Sequence, residues 1–96
     1  MKVTNSTEGG CLISLDPAVS VPDRVAFRAW ARDLSETSSV CIELGNKGFA
    51  QLDEWYDFLE VCSGLASRGS QLAFRAGGLA AEALRSFGVK QIGPLV

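Results

Sequence analysis

Few residues in this chain have the types and spacing for chemistry. No histidine occurs among its 96 residues, which removes the usual general base and the commonest metal ligand. Ser38 and Ser39 have no base beside them in sequence, so a catalytic nucleophile is not assembled. The three cysteines, Cys11, Cys41 and Cys62, are widely separated and form no CxxC pair, which supports neither a zinc site nor a dithiol redox motif. Each sits in an apolar run and reads as a reduced thiol that packs as a small hydrophobe. Gly77-Gly78 precedes a helix but lacks the spacing of a phosphate loop or dinucleotide fingerprint, and reads as a turn. The remaining polar cluster is acidic: Asp53, Glu54, Asp57 and Glu60 share one short stretch. Carboxylates there charge the solvated side of a helix or dock a partner. The expectation is a non-enzyme with no cofactor and no metal.

Composition narrows the class further. Ninety-six residues make one small domain, and a hydrophobic fraction of 47% argues for a packed core. Nine Lys+Arg against eleven Asp+Glu give a net charge of -2 without any basic block, so nucleic acid is not expected as a partner. The polar start, MKVTNSTEGG, lacks the apolar core of a signal peptide, and no run is long enough to span a bilayer. A cytoplasmic location without direct membrane insertion is expected.

The elements that must position these residues follow from pattern. Residues 2–5 suit a short edge strand, a turn over Thr7-Glu8-Gly9-Gly10 follows, and Cys11–Leu15 suits a strand that Asp16-Pro17 ends. Ser20, Pro22 and Asp23 open a helix, with Ala26, Trp30 and Leu34 at helical spacing and Val25, Phe27 and Ala29 widening the stripe. Val40–Leu44 resembles a strand buried on both faces. After the turn Gly45–Gly48, a helix from Leu52 carries Leu52, Trp55, Leu59, Cys62 and Ala66 on its apolar stripe, with Phe58 and Leu65 beside them. Arg68 and Gly69 end that helix, with Gly69 suited to the left-handed position. Gln71–Ala76 suits a strand, Leu79–Phe87 a short helix closed by Gly88, and the tail from Val89 a last short strand. The order β-β-α-β-α-β-α-β predicts an α/β domain: a small mixed, mostly parallel sheet of four to five strands with helices packed on it.

That order, and the detail of residues 10–96, resembles the STAS family (sulfate transporter and anti-sigma factor antagonist domains). Glu43-Leu44-Gly45-Asn46-Lys47-Gly48-Phe49-Ala50-Gln51-Leu52-Asp53-Glu54 lies without gaps on a family pattern reading Asp-Leu-Ser-Gly-Val-x-Phe-Leu-Asp-Ser-Ser-Gly. Ala66–Leu72 resembles the family's helix end, glycine turn and next strand, and Leu84–Val89 its closing Leu-x-x-x-Gly-Leu. Residues Gln51–Glu54 stand where Asp-Ser-Ser-Gly would be, and Asp16–Ser20 departs from the early Gly-Glu-Leu-Asp element.

The resemblance implies a protein-binding regulatory module akin to an anti-sigma factor antagonist. In such proteins a hydroxyl is phosphorylated by a partner kinase, and the phosphate blocks binding. Here Leu52 and Asp53 align with the phosphoserine region, and Gly45–Val61 contains neither serine nor threonine. The phosphorylatable motif is therefore expected to be lost or replaced by Asp53. A carboxylate there either substitutes weakly for phosphate or serves only the helix N-terminus, and the second role is favoured. The expected partner-binding residues are Lys47, Phe49, Asp53, Glu54, Tyr56, Asp57 and Glu60. Phe49 also suits the core, and Tyr56 is the better exposed aromatic. The implied partner is an anti-sigma-type kinase or other signalling protein, or alternatively the permease of an ABC lipid transporter.

Overall fold

The computed structural model describes residues 1–5, 10–15, 20–34 and 39–96, and the side chains of these except 20–24. The elements are β1 (Lys2–Asn5), β2 (Gly10–Ser14), α1 (Ser20–Asp33), β3 (Ser39–Gly45), α2 (Leu52–Ser67), β4 (Gln71–Ala76), α3 (Gly78–Ser86) and a 3-10 helix, Val89–Gln91. The expected turn over residues 7–9, the Asp16-Pro17 strand end, Ser38 and the Ser20 cap lie outside the described residues or side chains.

The four strands form one mixed sheet in the order β1-β2-β3-β4. β1 is antiparallel to β2, with Val3 opposite Ile13. β2, β3 and β4 are parallel, and Ile13, Ile42 and Phe74 share one row. Both parallel connections step the same way across the sheet, and crossovers of a single hand then place α1 and α2 on one face, where Ala80 and Leu84 of α3 join the same core. The burial pattern agrees. Ile13, Val40, Ile42, Leu44, Leu72 and Phe74 are buried against the helices. Ser39, Cys41 and Glu43 alternate with them and are exposed or half-buried.

β3 is therefore not buried on both faces as its apolar run implies. Its outer side takes part in a polar row across three strands. The Ser14 hydroxyl donates to Glu43 Oε1 at 3.5 Å, and Arg75 Nη1 lies 3.7 Å from Glu43 Oε2. Residues of such a half-solvated face need only be small or amphipathic, and Cys41 and Ala73 satisfy that requirement.

The core is aromatic at its centre. Phe58 packs against Phe27 at 5.5 Å, Phe49 at 5.4 Å and Phe74 at 6.3 Å between ring centroids, joining α1, the β3–α2 loop and the sheet. Cys62 is wholly buried beside this cluster, and burial pushes its thiol pKa well up, so it stays a neutral packing group. The buried stripe of α2 is Trp55, Phe58, Cys62 and Leu65, while Leu52 is exposed. On α1 it is Phe27 and Ala31 that are buried, Ala26 and Trp30 only partly, and Val25 is exposed.

The tail does not form a fifth ladder strand. After the 3-10 helix, Leu95 makes a single parallel bridge with Phe74 on the outer edge of β4. Phe74 N–H donates to Pro94 O at 2.8 Å, and Val96 N–H donates to Phe74 O at 2.7 Å. Pro94 has no N–H with which to extend the pairing. Among the described residues, no helix is long and apolar enough to cross a membrane.

Candidate functional site

The stretch after β3 sits at the C-terminal end of the parallel strands, where open α/β sheets commonly place ligand-contacting loops. Gly45 and Gly48 both have positive φ, 75° and 73°, which reverses the chain at little steric cost. Gly77 N–H donates to Gly45 O at 2.9 Å and Ala80 N–H to Asn46 O at 3.1 Å, so the loop is tied to the start of α3. A Cβ at Gly48 would come within 2.5 Å of Trp55 Cζ2. The buried Trp55 Nε1–H donates to Phe49 O at 3.1 Å, and the Phe49 ring meets Trp55 edge-on at 5.0 Å. This loop is therefore anchored at both ends and in its middle.

The anchoring divides the expected binding residues. Phe49 and Glu54 are each only 7% exposed and leave the surface. Phe49 belongs to the core. Glu54 Oε1 accepts the Gln51 N–H at 3.0 Å, one arm of a capping box at the start of α2. Its spacing, Gln51-x-x-Glu54, was the signal available in the sequence.

Asp57 pairs with Arg28 of α1, and Glu60 Oε1 lies 4.0 Å from Arg28 Nη1. Asp57 thus ties α2 to α1, whereas Glu60, with its side chain 76% exposed, only borders that contact. Lys47, Leu52, Asp53 and Tyr56 remain exposed. Asp53 Oδ1 accepts the Glu54 N–H at 3.1 Å, a helix-end role consistent with its charge. Tyr56 is 57% exposed and packs edge-on against Phe87 of the α3 end at 5.8 Å. Phe87 contacts Trp55 as well, at 5.7 Å.

The exposed part is thus a short ridge on α2, with Leu52 and Asp53 on its first turn and Tyr56 one turn on, backed by Phe87, while Lys47 is exposed on the loop before it. Phe87 joins it through the fold alone, since no local pattern relates it to Tyr56. Among the described residues, no group of three or more histidine, cysteine or acidic side chains is placed to hold a metal ion. Comparisons of the chain with family models, with curated proteins and with solved structures found no significant match in any of the three.

Proposed function

We propose that this chain is a non-catalytic, cytoplasmic, protein-binding regulatory module of the STAS type. Its partner, an anti-sigma-type kinase or other signalling protein, docks on the ridge formed by Leu52, Asp53 and Tyr56 and on Lys47 before it. One observation carries the reading: an exposed tyrosine and leucine stand on a rigid base at the loop end of the sheet. Tyrosine on a preorganised surface supplies contact area at low entropic cost. The mixed sheet with one antiparallel pair and three helices on one side supports the family assignment without being specific to it.

In this reading the surface is not switched by serine or threonine phosphorylation, because neither residue lies between Gly45 and Val61. Asp53 supplies a fixed negative charge, with one oxygen engaged by the first turn of α2. Regulation then rests with the partner or with the amount of this protein. The same missing hydroxyl favours a second partner class, the cytoplasmic side of an ABC lipid transporter permease.

The test is affinity purification of the partner, followed by titration with the purified pair. Tyr56→Ala and Asp53→Lys should weaken binding, the first by about thirtyfold, the scale of an interface hot spot. Arg75→Ala, on the open sheet face, should leave it unchanged. Unaltered affinity in both ridge variants, with folded proteins, would overturn the proposed face. Recovery of a permease would select the second partner class.

A further inference from the structure

The other end of α2 carries a cationic cleft that the partner-binding reading does not use. It is an open groove of about 470 Å³ between α1 and α2, lined by Arg28, Ala31, Arg32, Glu60, Val61, Gly64 and Arg68. Three of the chain's nine Lys and Arg residues meet here, although the chain as a whole is acidic. Ala31 and Gly64 keep the floor low.

The three arginines are not equivalent. Arg28 is engaged by Asp57. Arg68 is held in place by donating from Nη2 to Ala31 O at 2.8 Å and from Nε to Gly64 O at 3.3 Å. A guanidinium has five N–H donors, so these two bonds fix its orientation and leave others directed elsewhere. Arg32 is exposed and has no ion pair or hydrogen bond among the described residues. Among the described residues one acid, Glu60, lines the cleft, 4.0 Å from Arg28. Among the described residues the cleft therefore contains one preset guanidinium, one exposed guanidinium and a shallow floor of small residues between helices. Such a pair can give parallel charge-assisted hydrogen bonds to a planar or tetrahedral oxyanion.

We propose that the cleft between α1 and α2 seats an oxyanion, phosphate or carboxylate, held by Arg32 and Arg68 above Ala31 and Gly64. The seat is independent of the ridge at Tyr56. Twelve helical steps take the chain from Tyr56 to Arg68, roughly 18 Å of helix, so either surface can fail without the other.

The seat is read with amide correlation spectra of the full chain, titrated with inorganic phosphate at constant ionic strength. Saturable shifts should centre on Ala31, Arg32, Gly64 and Arg68. Arg32→Gln should weaken binding by about tenfold, the scale of a charge-assisted hydrogen bond. Arg32→Lys should fall between, because it keeps the charge but loses the fork. Arg85→Gln, on α3, should leave the affinity as it is. A second arm uses a short phosphoserine peptide of otherwise uncharged sequence. Tighter binding than phosphate identifies a partner's side chain as the source of the anion, and equal or weaker binding identifies a free small anion. Shifts that never saturate, or that spread equally over Lys47, Arg75 and Arg85, would overturn the seat.

Discussion

At the scale of single residues, the candidate site depends on backbone permission more than on reactive groups. Gly45 and Gly48 have nearly the same positive φ, yet their surroundings differ. A Cβ at Gly45 would meet nothing within 4 Å, whereas one at Gly48 would strike the Trp55 ring. Gly45→Ala should therefore cost about 1 kcal/mol, the penalty for an L-residue in the left-handed region. Gly48→Ala should cost roughly 1–3 kcal/mol more, because overpacking adds to that penalty. Denaturant titration of the two variants separates the terms. Equal losses would show that Trp55 yields freely and that the loop is less firmly seated than its contacts indicate. The composition of Gly45-Asn46-Lys47-Gly48 marks a turn in the sequence, but not which glycine faces an indole ring.

At the scale of elements, local chemistry was legible where it is local. The strand over Gln71–Ala76, the helix start at Leu52 and its end at Gly69 all match. Gly69 has φ 98°, and Ser70 N–H reaches Leu65 O at 3.1 Å, as a left-handed helix end requires. The side on which an element packs was less legible. Val40–Leu44 is apolar enough for two covered faces, and only the one-way order of the strands reveals that its Cys41 side is open. The apolar stripe of α1 spreads from Val25 to Leu34, so periodicity did not resolve that Phe27 and Ala31 form its centre.

The acids of α2 show the same limit. Their sequence spacing suits one solvated face, but Arg28 lies on another helix, and Glu54 turns inward to the chain end of its own helix. This distinction is testable within the first turn. Glu54→Ala should lower stability by about 1 kcal/mol, as loss of a cap does, while Asp53→Ala should stay within about 0.5 kcal/mol as an exposed charge does. If thermal unfolding finds the larger loss at Asp53, the helix start is held by the residue that the family resemblance singled out.

At the scale of the whole molecule, the two edges of the sheet are handled differently. β1 is an edge strand of four residues, all exposed, with Lys2 at its start. A short, charged edge of this kind offers little template for another chain. β4 is longer and carries Phe74 at the centre of the core, and there the tail covers the edge through Pro94 and Val96. Gly93 permits that approach, since a Cβ would run into the Leu72 carbonyl. The tail thus closes the sheet without adding a strand, which explains why its apolar residues resemble one in sequence. Truncation after Ile92 should release both backbone groups of Phe74 and cost roughly 1–3 kcal/mol, the range for buried polar groups losing their partners. The freed edge should also pair with other chains, so light scattering should show association that rises with concentration. An unchanged denaturation midpoint together with a monomeric mass would show that the β4 edge is protected without the tail.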